Sequence, residues 1–76
     1  MRLSTINKAA AKEGLGLELV KGDGYFYVAG PGTEHLDSAS IYVYRLADQD
    51  QESWLKDMRS FAKEIKEYLD RADPRA

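Results

Sequence analysis

The sequence predicts a single α+β domain in the order α-β-β-β-α, with a three-stranded antiparallel sheet and two helices on one face. Apolar residues alternate with a period of two in three runs between residues 15 and 46, which is typical of strands with one buried face. Segments rich in helix formers lie on either side of these runs. A chain of 76 residues has material for one core only, so residues 1–76 are expected to form one domain.

The first helix is predicted over residues 5–13. "INKAAAKE" supplies three alanines and other good helix formers. Ser4 or Thr5 is expected to cap its start by accepting a hydrogen bond from a backbone N–H of the first turn. Gly14 is expected to end it, because glycine readily adopts the left-handed conformation that closes helices.

Three strands are predicted over residues 15–21, 25–30 and 40–46. The turn "KGDG", residues 21–24, joins the first two, since glycine on either side of Asp23 supplies the positive φ angles of a tight hairpin. Residues 30–40 contain two glycines, a proline and several small polar side chains. This composition indicates a loop longer than a hairpin needs.

The last helix is predicted over residues 50–70, with Asp48 or Asp50 as its cap. Its apolar stripe has helical spacing and consists of Trp54, Leu55, Met58, Phe61, Ala62, Ile65, Tyr68 and Leu69. This stripe is expected to pack on the aliphatic side of the sheet. Pro74 is expected to stop the helix, which leaves residues 71–76 as a frayed tail.

Composition and charge argue against several classes of function. The net charge of −2 gives no long-range attraction to nucleic acid or to an anionic membrane. The chain has no cysteine and one histidine, so a disulfide framework, a thiolate metal site and a histidine zinc site are not expected. No stretch has the roughly 18 apolar residues that a membrane span requires. We expect a cytoplasmic protein without metal or cofactor.

Two of the predicted strands carry tyrosine at every second position. Tyr25 and Tyr27 share one face of their strand, and Tyr42 and Tyr44 share one face of the next. The tyrosines are expected to form one row on the water-exposed side, because the opposite faces are purely apolar and suit the helices. The sequence leaves two interpretations open. The row protects the open face of a small sheet, or it binds a partner.

Acidic residues are expected to gather beside the tyrosines, near the long loop and the start of the last helix. They include Glu34, Asp37, Asp48 and Asp50. Such a group would steer the protein toward a basic surface of its partner. Helix capping and the helix dipole also explain at least two of these acids.

No catalytic site is predicted. His35 stands alone in the long loop, without an identifiable nucleophile or substrate site beside it. "GDG" and "GPG" are too short for phosphate-binding loops and do not join a strand to a helix. Basic residues on the last helix alternate with acids, as on a solvated helix face. The protein is therefore expected not to be an enzyme.

The segments "ELVKGDGYFYVAG", "SIYVYRL" and "QESW" resemble a group of small uncharacterised proteins encoded by phages and prophages of proteobacteria. Those proteins pair a "GYFYF"-like strand with a "VYVYRL"-like strand, and the similarity covers about residues 4–54. The resemblance implies a phage accessory protein in the cytoplasm of a bacterial host. It further implies non-catalytic binding to a host protein or complex, such as inhibition of a CRISPR or restriction complex. A homodimer through the tyrosine face is another interpretation.

An RNA-binding module is the alternative. The order α-β-β-β-α is similar to that of double-stranded-RNA-binding domains and HicA-type toxin ribonucleases. The toxins place a histidine after the glycine that opens the second strand, where this chain has Tyr25. The RNA-binding domains open the last helix with lysines, where this chain reads "ADQDQES". Function does not follow from fold alone, and nucleic acid is not the expected partner.

Overall fold

The computed structural model describes residues 2–36 and 38–72, and it has the predicted α+β arrangement. The elements are α1 (Leu3–Lys12), β1 (Glu18–Lys21), β2 (Phe26–Ala29), β3 (Ser40–Ile41) and α2 (Gln51–Ala72). Two short 3₁₀ turns, Thr33–His35 and Leu46–Asp48, lie in the connections before and after β3. The predicted order α-β-β-β-α is confirmed.

The sheet is antiparallel with the order β1-β2-β3, and each strand is shorter than predicted. Lys21 pairs with Phe26, so β2 begins one residue later than expected. Tyr25 lies in the turn, where its carbonyl oxygen accepts a 2.8 Å hydrogen bond from the N–H of Gly22. Gly24 has the expected positive φ of 80°, whereas Gly22 does not. The hairpin loop therefore spans residues 22–25.

Both helices pack on one face of the sheet and form a single core with it. The buried residues are Ile6, Ala10, Leu17, Leu19, Phe26, Val28, Trp54, Leu55, Met58 and Ile65. Trp54 lies at the centre with 0% exposure, and its ring meets that of Phe26 edge to face at 4.9 Å. An edge-to-face pair of this kind contributes about 0.5–1.5 kcal/mol beyond its buried area.

The predicted buried stripe of α2 extends further toward the C-terminus than the observed one. Leu69 was expected to be buried but is 49% exposed, and Phe61 is only half-buried. The strands are two to four residues long, whereas α2 has 22 residues. A short sheet cannot cover a helix of about 33 Å, so the last turns of α2 project beyond it.

The start of α1 differs from the prediction, and its end agrees with it. The helix begins at Leu3 after Arg2, so Ser4 and Thr5 lie inside it and neither is the cap. At the other end, Gly14 has a φ of 71° and donates its N–H to Ala11. The N–H of Leu15 reaches back to the carbonyl of Ala10 at 3.2 Å. These two bonds form the glycine-based helix stop that was predicted.

Asn7 joins α1 to the outer edge of the sheet, which the sequence did not indicate. Its side-chain Oδ1 accepts a 2.7 Å hydrogen bond from the N–H of Leu19, and its Nδ2 donates to the carbonyl of the same residue at 3.0 Å. Leu19 lies in the edge strand β1, opposite the non-hydrogen-bonded partner Val28. One asparagine thus satisfies two backbone groups that an edge strand would otherwise expose.

Arg59 of α2 holds the two helices together on the surface. Its guanidinium makes two hydrogen bonds to the carboxylate of Glu13, at 2.7 and 2.8 Å, and a third to Glu52 at 2.7 Å. The hydrogen bonds from Arg59 lower the pKa of Glu13. Because all three side chains are at least partly exposed, water screens the interaction.

The C-terminal boundary of α2 lies beyond the predicted one. Arg71 and Ala72 belong to the helix, whereas the prediction placed them in a frayed tail. Pro74 and the rest of the predicted tail, residues 73–76, lie outside the described residues.

Candidate functional site

Three tyrosines form a continuous row on the side of the sheet that faces away from both helices. The ring of Tyr25 lies 6.1 Å from that of Tyr27 and 6.3 Å from that of Tyr42, with 38° between the planes in each pair. Phe26 and Val28, which alternate with the tyrosines, are buried against the helices. We call Tyr25, Tyr27 and Tyr42 the tyrosine surface.

The register of the strands explains why these rings meet. Tyr27 pairs with Ser40 of β3 and with Val20 of β1. Continuing the β2–β3 register by two residues places Tyr25 opposite Tyr42. Alignment of the apolar residues Phe26 and Ile41 across the strands therefore also aligns the tyrosines, as predicted.

Tyr44 does not belong to this row, although the prediction included it. β3 ends at Ile41, and the N–H of Val43 bonds to the carbonyl of Ile41 at 2.9 Å, which turns the chain out of the sheet. Beyond this turn the carbonyl of Leu46 accepts a 2.8 Å hydrogen bond from Nε1 of Trp54. This bond satisfies the buried indole N–H and holds Leu46 against the core. Tyr44 lies between the turn and this anchor, outside the sheet.

The rings differ in how much water they contact. Tyr42 is 83% exposed and Tyr44 is 69% exposed, whereas Tyr25 and Tyr27 are half-buried against their neighbours. A large aromatic side chain with this degree of exposure contributes little to the stability of the fold, because most of its area stays in water. Protection of the open sheet face therefore does not explain Tyr42. It does explain Tyr27, which is half-buried.

The predicted acidic group does not form one cluster beside the tyrosines. Glu34 lies in the first 3₁₀ turn, next to His35, whose ring stacks on Tyr68 near the end of α2. Asp50 lies at the opposite end of the same helix, about 27 Å from Tyr68 along the helix axis. Asp37 lies outside the described residues.

Asp48 and Asp50 have local roles in the backbone. Oδ2 of Asp48 accepts a 3.1 Å hydrogen bond from the N–H of Arg45 in the second 3₁₀ turn. Oδ1 of Asp50 accepts one of 2.8 Å from the N–H of Ser53, which makes Asp50 the cap of α2. The hydrogen bonds from Ser53, first from its backbone and then from its side chain, lower the pKa of Asp50. Of the two predicted caps, Asp50 is thus the one that starts α2.

His35 has a definite packing partner. Its ring lies 4.2 Å from the ring of Tyr68 at an angle of 15°, and its Nε2 lies 3.6 Å from Oε1 of Glu34. Leu36, Glu64, Glu67 and Arg71 complete an open groove of about 430 Å³ around this stack. The stack holds the first 3₁₀ turn against α2.

A second open pocket, of about 320 Å³, borders the tyrosine surface. We call it the turn pocket, and its lining consists of Lys21, Gly22, Asp23, Gly24, Tyr44, Arg45 and Leu46. The contact between the Lys21 and Arg45 regions was not predicted, because the third strand was expected to continue to residue 46. Ending that strand at Ile41 folds Arg45 toward the β1–β2 turn.

Comparisons with known proteins returned no match among family models, curated proteins or solved structures. Within residues 2–36 and 38–72, no group of histidine and acidic side chains is arranged to hold a metal ion. Neither helix in the same residues combines the length and apolarity needed to cross a bilayer.

Proposed function

We propose that this protein acts by non-catalytic binding of a protein partner through the tyrosine surface. One observation carries the proposal. Three contacting tyrosine rings lie on a sheet face that neither helix covers, and the outermost ring is 83% exposed. Tyrosine has few rotatable bonds and an amphipathic ring, so it loses little side-chain entropy on association. Rings of this kind often contribute about 2 kcal/mol or more at the centre of an interface.

Tyr27 is supported by the buried core of the sheet. Tyr27 lies in the middle strand of the sheet, and the neighbouring residues Phe26 and Val28 are buried in the core. The ring of Tyr27 is therefore held in a preformed position, which lowers the ordering cost of binding there.

The resemblance to phage-encoded proteins points to a bacterial host protein or complex as the partner, with CRISPR and restriction complexes as the first to test. The acidic residues retain a smaller role in this proposal than the sequence analysis gave them. Asp48 and Asp50 are engaged in hydrogen bonds to the backbone, and Glu34 lies at the far end of α2.

The test is affinity capture from a bacterial lysate, followed by quantitative mass spectrometry. Tyr42→Ala removes the most exposed ring of the tyrosine surface. Tyr68→Ala is the control, because Tyr68 is another exposed tyrosine that lies outside that surface; thermal melting of both variants checks that loss of its stack on His35 leaves the protein folded. A protein that the wild type and Tyr68→Ala retain and that Tyr42→Ala loses would support the proposal. Equal recovery by all three would contradict it.

The same Tyr42→Ala variant tests the two other interpretations. Recovery of RNA that depends on Tyr42 would favour the RNA-binding alternative, for which the acidic start of α2 is unsuited. A doubled mass in sedimentation that Tyr42→Ala abolishes would identify a homodimer through the tyrosine surface.

A further inference from the structure

The turn pocket presents two cations to solvent. Lys21 and Arg45 are exposed and line the same pocket. Within the described part of the chain, neither has a carboxylate partner closer than 4.0 Å, whereas Arg59 of α2 makes two ion pairs. Asp23 is the one acidic residue in the lining. The lining therefore carries two positive charges and one negative charge, and the carboxylate of Asp48 lies 3.1 Å from the backbone nitrogen of Arg45.

Both walls of the pocket are held in place by hydrogen bonds. On one side the N–H of Gly22 bonds to the carbonyl of Tyr25 at 2.8 Å and closes the β1–β2 turn. On the other side the carbonyl of Leu46 accepts the indole N–H of the buried Trp54, also at 2.8 Å. The backbone of Arg45 is fixed in turn by Asp48. A charged group that enters the pocket thus meets a preformed frame.

The pocket is continuous with the tyrosine surface. The ring of Tyr25 lies directly over Gly22, so closely that a Cβ on Gly22 would be 2.6 Å from its Cζ. The same ring contacts Tyr42 on its other side. A partner that covers Tyr25 and Tyr42 therefore also reaches the rim of the turn pocket.

We propose that the turn pocket binds a carboxylate side chain, Asp or Glu, of the protein partner that covers the tyrosine surface. This inference rests on the proposed function. A guanidinium binds a carboxylate through two parallel hydrogen bonds, and a neighbouring ammonium adds a third donor. The partner is therefore expected to present an acidic side chain at this pocket, whereas the sequence pattern had predicted a basic partner surface.

A protein carboxylate fits the pocket better than a nucleic-acid backbone does. A phosphodiester chain is held by several cations along its path, and here two cations are accompanied by Asp23 in the pocket. Glu18 lies in β1 beside Ala29 and would repel further phosphates at the sheet. A single carboxylate contacts both cations and does not continue past Asp23 and Glu18, as a phosphodiester chain would.

The first experiment measures ligand chemistry without the natural partner. The isotopically labelled protein is titrated with a short capped Gly-Glu-Glu-Gly peptide, and amide shifts are followed by NMR. We expect shifts at Gly22, Gly24 and Arg45, and none with the Gly-Gln-Gln-Gly peptide. Equal shifts with both peptides, or shifts only elsewhere, would overturn the proposal. Preferential binding of a thymidine oligonucleotide at these amides would replace the carboxylate with a phosphate backbone.

A double variant identifies the cations. Lys21→Gln with Arg45→Gln should weaken binding of the glutamate peptide about tenfold or more, since one charge-assisted hydrogen bond contributes that much. Lys56→Gln with Lys63→Gln is the matched control, because it removes the same charge from exposed positions of α2. All four side chains are exposed, so both variants are expected to fold. Equal affinity of the two variants would refute the assignment.

Lysate capture separates this inference from the proposed function. If Tyr42→Ala loses a protein that the Lys21 and Arg45 double variant retains, the tyrosine surface binds and the turn pocket does not. If both variants lose it and the α2 control retains it, both proposals stand. If the glutamate peptide binds the pocket but Tyr42→Ala retains every protein, the pocket is a carboxylate site and the proposed function is wrong.

Discussion

Asn7→Ala tests the contact by which α1 protects the edge of the sheet. The substitution removes both hydrogen bonds between Asn7 and Leu19. Each contributes about 1 kcal/mol, and alanine returns roughly 0.5 kcal/mol through its higher helix propensity. The free energy of unfolding should therefore fall by about 1.5 kcal/mol. For a domain of this size, that corresponds to a decrease in Tm of about 6–12 °C.

The assay is thermal and urea unfolding followed by circular dichroism, combined with hydrogen exchange at the amide of Leu19. Lys8→Ala is the control, since Lys8 is the exposed neighbour of Asn7 in α1 and the change also raises helix propensity. We expect Lys8→Ala to leave Tm unchanged or slightly higher, and Asn7→Ala to speed exchange at Leu19. An Asn7→Ala variant as stable as Lys8→Ala, with Leu19 still protected, would refute the reasoning.

Three further predictions concern packing and charge. Gly32→Ala should destabilise the protein more than Gly24→Ala, because both have positive φ but only at position 32 would the new Cβ lie 2.5 Å from a side chain of α2; urea unfolding of both variants measures the difference. Trp54→Phe should cost about 1–3 kcal/mol and shift the amide resonances of residues 44–46, because their anchoring hydrogen bond is lost; unchanged resonances would contradict the anchoring role. Arg59 lowers the pKa of Glu13, so the ionised carboxylate stabilises the fold above about pH 4.5, and this contribution disappears as the pH falls through the lower folded-state pKa. Glu13→Gln should therefore reduce the loss of unfolding free energy on acidification, measured by urea unfolding at a series of pH values. The same pH dependence in the wild type and the variant would exclude the effect.

Local sequence patterns were sufficient for the order of elements and for the choice of faces. Alternation places Phe26 and Val28 inward and Tyr27 outward, whatever the rest of the chain does. Gly14 and Asp50 mark helix boundaries, because their effect depends on hydrogen bonds within one turn. The confirmed fold class follows from these short-range rules.

Interactions between distant residues decided what the patterns could not. β3 ends at Ile41, and the carbonyl of Leu46 further along the chain accepts a hydrogen bond from the buried indole of Trp54, so Tyr44 lies outside the row of tyrosines. The sequence shows tyrosine at every second position up to residue 44, and propensity alone continues the strand. The length of β3 is therefore not given by the local tyrosine pattern.

The charge around the candidate site was likewise decided by the tertiary structure. Glu34 and Asp48 were expected to lie together near the long loop and the start of α2, but the first 3₁₀ turn packs on the far end of α2. The same folding brings Lys21 and Arg45 into one pocket, although 23 residues lie between them. The sequence by itself determined which face of the sheet the tyrosines occupy, because alternation is local. Only the tertiary structure determined which charges accompany them, because that depends on where the chain turns.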